Sequence, residues 1–300
     1  MRKIGLLKNT IQEYAWGSRS AIPELLGQSV PADKPQAELW MGAHPKAPSQ
    51  VFFDGIWRSL PEVIQESPEE TLGQKVAARF SNELPFLFKV LAAAKPLSIQ
   101  AHPNKEQAWQ GFARENELGI PLDAPHRNYR DDNHKPEIIC ALTPFWALNG
   151  FRRIEETLSL LEEAKIAGLA EIVSFLRSHS NRDGLKKFFN HLMTMDSGKQ
   201  GKIVEQAVNF AEKQTPEKPS WTWMIKLNEA YPGDIGVLSP LFLNLVRLEP
   251  QQAMYLPAGE LHGYLAGVGI ELMANSDNVL RGGLTPKHIN VQELLAVLNF

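Results

Sequence analysis

Four side chains that commonly bind metal ions come from three short segments of the chain. Gln100 and His102 share one segment, Glu137 ends a Lys-Pro-Glu sequence in the second, and His262 ends a Pro-Ala-Gly-Glu-Leu-His sequence in the third. One carboxylate, one amide oxygen and two imidazoles suit zinc, and a similar donor set accepts Mn, Fe, Co or Ni. Such an ion could polarise a substrate oxygen or activate water.

These side chains can bind one metal ion only if the backbone brings them together. Alternation along Leu97-Ser-Ile-Gln-Ala places Gln100 and His102 on the same side of a strand. Proline and glycine in the third segment are typical of a tight turn that would deliver His262 into a β-barrel. If the strands form one jelly roll, the histidines are neighbours; taken singly, each is more often a surface or hydrogen-bonded core residue.

A second polar region follows the last histidine, between Gly269 and His288. Within it, Glu271 is a candidate base, and Arg281 is a candidate clamp for a phosphate or an oxyanion because a guanidinium offers paired donors. The alternative is an ordinary surface loop in which Arg281 pairs with Asp277. The segment before Glu137 has a similar alternative, a solvated loop whose charges face water.

Composition narrows the class of protein. The 300 residues are 43% hydrophobic and 22% charged, and the formal net charge is −3. This balance favours a globular protein and gives no support for nucleic acid or a membrane as the main partner. A single cysteine, Cys140, excludes an internal disulfide and a cysteine-rich zinc site. With an N-terminal apolar run too short for a signal peptide, we expect a cytoplasmic protein.

The hydrophobic pattern changes twice along the chain. Residues 1–151 contain short apolar runs typical of strands, interrupted by a helix that begins at Asn104. Residues 152–232 carry apolar residues at helical spacing, which predicts an all-α insertion. Residues 233–300 return to strands, carry His262 and the polar region, and close with a helix near Val291. We predict a mainly β fold with a helical insertion.

Several longer motifs resemble one family, the type I phosphomannose isomerases. The motifs extend from near the N-terminus to Lys287 and are Gln12-Glu-Tyr-Ala-Trp-Gly-Ser18, Ala37-Glu-Leu-Trp-Met-Gly-Ala-His-Pro, Leu87-Phe-Lys-Val-Leu, Ser98-Ile-Gln-Ala-His-Pro, His134-Lys-Pro-Glu, Pro257-Ala-Gly-Glu-Leu-His and Asn275-Ser-Asp-Asn-Val-Leu-Arg-Gly-Gly-Leu-Thr-Pro-Lys. The resemblance implies a cupin jelly roll with an inserted helical domain, one zinc ion and a sugar-phosphate substrate. It further implies interconversion of mannose 6-phosphate and fructose 6-phosphate through an enediolate.

The resemblance also implies roles for individual residues. It assigns zinc binding to Gln100, His102, Glu137 and His262. It makes Arg281 catalytic and places Lys135, Glu271 and Asp277 in the sugar site. Glu271 and Lys135 are both candidates for the proton-transfer base, and the lysine could serve if the nearby ion lowers its pKa.

A further set of residues is expected to contact the substrate. Lys89, Ser98 and the region near Ser18 are candidate phosphate contacts, on the basis of charge and proximity to the motifs. We expect His134 and Lys135, which precede Glu137, to project into the same cavity. Trp16, in the first motif, is a candidate substrate contact, although such a tryptophan is more often a core residue.

Other interpretations remain open at this point. The chain could be a non-catalytic sugar-phosphate-binding cupin or an inactive truncated relative, or a different metal enzyme on the same barrel. An oxygen-using enzyme would normally need redox-active iron held by two histidines and one carboxylate, and Gln100 and Arg281 argue against it. Longer family members continue past the position of Phe300, so the chain is either a short form or a fragment. We expect a monomer.

Overall fold

The computed structural model describes residues 4–214 and 218–300. These residues form thirteen strands: β1 (Leu7–Lys8), β2 (Thr10–Gln12), β3 (Glu38–Gly42), β4 (Gln50–Phe53), β5 (Ile56–Ser59), β6 (Phe86–Ala93), β7 (Ile99–Ala101), β8 (Glu137–Ala141), β9 (Phe145–Phe151), β10 (Leu243–Leu248), β11 (Ala253–Leu256), β12 (His262–Ala274) and β13 (Leu280–Gly283). Strands β1, β4 and β5 make a small sheet, and the other ten belong to one large sheet.

Of the twelve α-helices in the described residues, six lie between β9 and β10. The helices are α1 (Ala21–Leu25), α2 (Leu60–Glu66), α3 (Pro68–Leu72), α4 (Gln74–Arg79), α5 (Lys105–Glu117), α6 (Ile154–Ala164), α7 (Ala170–Ser178), α8 (Arg182–Thr194), α9 (Ser197–Ala211), α10 (Pro219–Ala230), α11 (Ser239–Phe242) and α12 (Val291–Val297). Short 3₁₀ helices cover Ala167–Leu169 and Ile235–Leu238. The predicted mainly β fold with a helical insertion is confirmed. None of the described helices is long and apolar enough to cross a membrane.

Strand β12 organises the large sheet. Its first half pairs with β7 and β9, and its second half pairs with β6 and β8, in each case antiparallel. The change of partners coincides with a register shift between Tyr264 and Ala266 and with a positive φ of 126° at Gly267. A Cβ at Gly267 would lie 2.8 Å from the carbonyl oxygen of Pro144, so only glycine allows this bend.

The inserted helices pack against strands that carry the polar motifs. Phe189 of α8 is fully buried, and its ring contacts Phe151 of β9 and Phe242 of α11 at centroid distances of 5.4 and 6.0 Å. The same hydrophobic cluster includes Ile99 of β7 and Leu280 of β13. The helices therefore pack against the apolar residues of β7, β9 and β13, and other residues of these strands or next to them form the site described below.

Helix α5 begins directly after His102 and Pro103, and its first turn is closed by a capping box. The Asn104 side chain accepts a hydrogen bond from the Gln107 amide at 2.8 Å, and the Gln107 side chain accepts one from the Asn104 amide at 2.9 Å. This arrangement satisfies two helix N–H groups that would otherwise lack partners. The predicted start of this helix is confirmed.

Asn104→Ala is expected to lower the free energy of unfolding by about 1 kcal/mol, because the substitution removes one half of the capping box. Asn104→Asp keeps the acceptor and is the matched control. Urea denaturation of both variants measures the difference. An equal loss in both would contradict the capping role.

Candidate metal centre and cavity

Strand pairing brings the first and third motifs together. His262, the first residue of β12, lies opposite Gln100 of β7, and Arg281 of β13 lies opposite Gln100 on the other side. Glu137 is the first residue of β8 and pairs with Met273 near the other end of β12. Because β7 and β8 both pair with β12, three segments distant in sequence converge around one strand.

Three of the four predicted metal ligands form a tight, buried group. His102 Nε2 lies 3.4 Å from one carboxylate oxygen of Glu137, and His262 Nε2 lies 3.4 Å from the other. The three side chains are at most 2% exposed. Both Nε2 atoms and Glu137 Oε2 are buried without a hydrogen-bond partner among the described residues. Buried polar atoms normally have partners, so this group requires an additional ligand.

The orphaned atoms fit a divalent ion. Ligands that coordinate zinc tetrahedrally at about 2.0–2.1 Å are separated from one another by roughly 3.3 Å, close to the observed spacing. His102 Nδ1 lies 2.7 Å from the carbonyl oxygen of Asn278, and His262 Nδ1 lies 2.9 Å from that of Glu260. Each Nδ1 therefore donates its proton to a carbonyl, which leaves the Nε2 lone pair directed at the centre. Gln100 lines the adjoining cavity together with Glu137.

The charge of the centre is balanced by a buried lysine. Lys135 Nζ lies 3.0 Å from Glu137 Oε1. Burial alone would raise the pKa of Glu137, but Lys135 and then the two histidines hold it well below its usual range. Burial, followed by the charge of Lys135, lowers the pKa of His102 to about 4. At neutral pH the centre therefore presents a carboxylate and a neutral imidazole, the forms that bind metals.

A second buried ionic group lies beside the first. Lys89 Nζ is 2.9 Å from Glu271 and 3.5 Å from Glu38, and the Tyr264 hydroxyl donates a hydrogen bond to Glu271 at 3.0 Å. Glu38 also accepts a hydrogen bond from the Trp40 indole at 2.7 Å. Burial and the carboxylates of Glu137 and Glu38 raise the pKa of Glu271, against the opposing effect of Lys89. Burial would lower the pKa of Lys89, but its two carboxylate partners raise it.

Both groups open into one cavity of about 580 Å³. Nine residues predicted to belong to the site line it: Trp16, Lys89, Ser98, Gln100, Lys135, Glu137, Glu271, Asp277 and Arg281. His102 and His262 are buried in the wall that holds the metal ligands. His134 is not brought into the cavity lining; its side chain is exposed on the preceding loop.

Three cations on the cavity wall have no carboxylate partner within the described residues. They are Arg130, Arg281 and Lys287. Burial and then Arg130 lower the pKa of Arg281, and burial followed by Arg281 and Arg130 lowers that of Lys287. Like charges held together without a counter-ion are typical of an anion-binding site. Asp277 pairs with Lys46 at 2.7 Å, so the alternative pairing of Arg281 with Asp277 is not observed.

Among the lining residues without a predicted role, four take part in the charge arrangement described above: Glu38, Arg130, Tyr264 and Lys287. Tyr264 follows His262 by two positions on a strand, so period-two alternation could have identified it. Lys287 ends a quoted motif without having been given a role. Arg130 lies in the segment that also reads as a solvated loop, and no local pattern distinguishes it there.

The buried imidazole predicts a pH dependence in metal-free protein. The pKa of His102 is 6.5 in unfolded protein and about 4 in folded protein. Between these two pH values the ring is neutral in the folded state and protonated in the unfolded state. The associated stability is present above pH 6.5 and is lost as the pH falls toward 4, by up to about 3 kcal/mol. Urea denaturation of chelated protein across this range measures it. His102→Gln, which does not titrate, should flatten the dependence; an unchanged slope would contradict the assignment.

Comparison with known proteins agrees with this geometry. Residues 4–154 match the catalytic domain of type I phosphomannose isomerase, and residues 160–243 match its helical insertion domain. The mannose-6-phosphate isomerase of Escherichia coli K12 is 48% identical over 295 residues, which cover 98% of this chain and 74% of the relative. The human enzyme of the same name is 39% identical over 321 residues, with 98% and 72% covered.

Solved structures give the same result. A mannose 6-phosphate isomerase from Salmonella typhimurium, bound to fructose 6-phosphate and zinc, superposes with a TM-score of 0.91 at 47% identity and covers 99% of this chain and 74% of that chain. A zinc-bound mannose 6-phosphate isomerase gives a TM-score of 0.91 at 46% identity, with 98% and 74% covered. The fold is therefore the cupin fold with a helical insertion that the motifs implied. By sequence and by structure, the chain belongs to the type I phosphomannose isomerase family.

Proposed function

We propose that the chain is a zinc-dependent aldose–ketose isomerase that interconverts mannose 6-phosphate and fructose 6-phosphate. The observation that carries the proposal is the group of orphaned ligand atoms beside a cavity lined by unpaired cations. A metal centre next to an anion site suits a reaction that develops negative charge on the oxygens of a phosphorylated sugar. The name of relatives at 48% identity supports mannose 6-phosphate as one substrate, and the solved neighbour with bound fructose 6-phosphate supports the other.

Zinc would be held by His102, Glu137 and His262, with Gln100 as the fourth protein ligand. The three atoms without hydrogen-bond partners support the first three assignments. Gln100 is supported by its pairing with His262 across the strands and by its place in the cavity lining. When bound, the ion supplies positive charge that stabilises oxygens of the substrate as they become negative.

Glu271 is our candidate for the proton-transfer base. In the forward direction the base takes the proton from C2 of the open-chain aldose, the C–H electrons form a C1–C2 double bond, and the carbonyl electrons move to O1. A proton then moves from the O2 hydroxyl to O1, the O2 electrons form the C2 carbonyl as the double bond takes the carbon-bound proton back at C1, and the ketose results. Burial raises the pKa of this carboxyl, so Glu271 accepts a proton more readily than an exposed carboxylate and can return it in the second step.

Lys135 and Arg281 would stabilise the enediolate formed between these steps. Both line the cavity, and Arg281 has no carboxylate partner in the described residues to satisfy its guanidinium. Lys135 lies 3.0 Å from Glu137 and so presents its charge close to the metal centre. Fixed positive charge of this kind lowers a barrier because it needs no reorganisation as the oxyanion forms.

The phosphate would bind to Arg130 and Lys287 on the side of Arg281. Their unpaired charges support this assignment better than they support Lys89, whose ammonium is already engaged by two carboxylates. Ser98, Trp16 and Asp277 line the same cavity and are proposed sugar contacts. The positions differ from the phosphate contacts expected from sequence motifs alone.

We also propose that the chain acts as a monomer in the cytoplasm. All of the side chains assigned above come from one chain, so the site needs no residue from a second copy. The single cysteine is consistent with a reducing compartment.

A coupled assay on the purified chain tests the function. Mannose 6-phosphate should be converted to fructose 6-phosphate, activity should disappear on chelation, and added zinc should restore it, because the orphaned ligands remain in place. A folded, zinc-loaded chain without turnover would overturn the proposal in favour of a sugar-phosphate-binding cupin.

Arg281→Ala is expected to lower kcat by roughly 10²–10³-fold, the loss typical when one charge-stabilising donor is removed. Its zinc content should stay near one ion per chain, because Arg281 is not a ligand. Arg177→Ala, at an exposed position on α7, is the control. Wild-type turnover in Arg281→Ala would remove Arg281 from the mechanism.

A further inference from the structure

The segment Leu284–Lys287 forms part of the cavity wall in an unusual backbone conformation. Leu284 has a φ of +53°, and the preceding Gly283 has a φ of +132°. A leucine in the left-handed region is strained, so this conformation persists only if other contacts hold it. Lys287, one of the three unpaired cations, lies at the end of this segment.

The contacts come from Asp234, which follows the last long helix of the insertion. Its Oδ1 accepts hydrogen bonds from the amides of Gly236 at 2.7 Å and Leu284 at 2.9 Å, and its Oδ2 accepts one from the amide of Thr285 at 3.1 Å. Asp234 itself is not among the residues that line the cavity. One carboxylate therefore satisfies amides on two chain segments separated by about fifty positions in sequence.

The two segments are also in direct backbone contact. A Cβ at Gly236 would lie 2.8 Å from the Leu284 nitrogen, and a Cβ at Gly283 would lie 2.9 Å from the Gly236 Cα. Side chains at either position would push the segments apart. The turn that carries Asp234 is also tied to the cavity wall, because the Asp234 amide donates a hydrogen bond to the carbonyl of Tyr231 at 3.2 Å, and Tyr231 lines the cavity and donates a hydrogen bond to the carbonyl of Pro96 at 2.8 Å.

We propose that Asp234 is a positioning residue for the phosphate side of the cavity. It holds the strained segment at Leu284 and Thr285 in place and so directs Lys287 toward the anion. The helical insertion thereby contributes to substrate affinity through its final residues. This inference rests on the proposed sugar-phosphate function.

A positional role and a purely electrostatic one predict effects of opposite sign. Removing a carboxylate near an anion site weakens repulsion and would strengthen phosphate binding. Removing the acceptor that holds the segment would instead misplace Lys287 and weaken binding. The groups that lower the pKa of Lys287 are Arg281 and Arg130 after burial, which fits a role for Asp234 through the backbone.

The test compares Asp234→Ala and Asp234→Asn with a matched control, Asp196→Ala. Asp196 accepts two backbone amides at the start of α9 but does not line the cavity. Full-length zinc-loaded protein is assayed for kcat, for KM with mannose 6-phosphate and for inhibition by inorganic phosphate. Zinc content and amide hydrogen exchange at Leu284 and Thr285 are measured in parallel.

Asp234→Ala should raise KM and the phosphate inhibition constant by about tenfold, as expected for one misplaced charge-assisted contact, with kcat changed by less than about twofold. Asp234→Asn keeps one acceptor oxygen but places its amide group against the Thr285 N–H. This variant should therefore fold even if Asp234→Ala does not, and its KM and phosphate inhibition constant should rise less. Exchange should increase at Leu284 and Thr285.

Unchanged or tighter phosphate inhibition in Asp234→Asn would overturn the inference, as would an equal loss of affinity in Asp196→Ala. The proposed function fails separately, by the absence of turnover in wild-type protein. Active wild-type enzyme with unaltered Asp234 variants would leave the isomerase function standing and remove only the positioning role.

Discussion

The fold depends on placing one buried carboxylate, that of Glu137, between two imidazoles and an ammonium group. Removing a charge from water costs several kcal/mol unless partners compensate it. Lys135 compensates at 3.0 Å, and the Nε2 atoms of His102 and His262 lie at 3.4 Å with their lone pairs unused. Such a group is stable only if its members are held in register. The pairing of β7 and β8 with β12 supplies that register, and the glycine bend in β12 allows one strand to pair within both halves of the sheet.

The charges that line the cavity are distributed unevenly between its sides. On one side, Lys89 and Glu271 neutralise each other within a buried group, which leaves a carboxyl of raised pKa suited to proton transfer. On another, Arg130, Arg281 and Lys287 lack carboxylate partners in the described part of the chain. In the proposed mechanism, this asymmetry would orient a substrate that has one anionic end and one reactive carbonyl end before proton transfer begins. Because the two regions are built by different segments, orientation and proton transfer need not use the same residues.

Local sequence patterns predicted the mainly β fold and the faces on which the candidate metal ligands lie, but not the group of unpaired cations. Period-two alternation predicts that Gln100 and His102 share one side of a strand, and the proline–glycine turn predicts how His262 is presented. The approach of His262 to His102 followed only from the expected jelly roll and the family resemblance. Arg130 and Lys287 also approach each other only through tertiary structure, so no spacing identifies them. The prediction for His134 was wrong for the same reason: its place in a motif indicated a cavity residue, but its side chain is exposed. Adjacency in sequence to Lys135 did not determine the direction of its side chain.

The most direct test is a crystal structure of the zinc-loaded chain with fructose 6-phosphate, with zinc located by anomalous scattering. We expect one zinc ion about 2.0–2.1 Å from the Nε2 atoms of His102 and His262, and the phosphate against Arg130 and Lys287. Zinc at another position, or the phosphate bound beside Lys89 with the arginine and lysine pair unoccupied, would contradict this expectation.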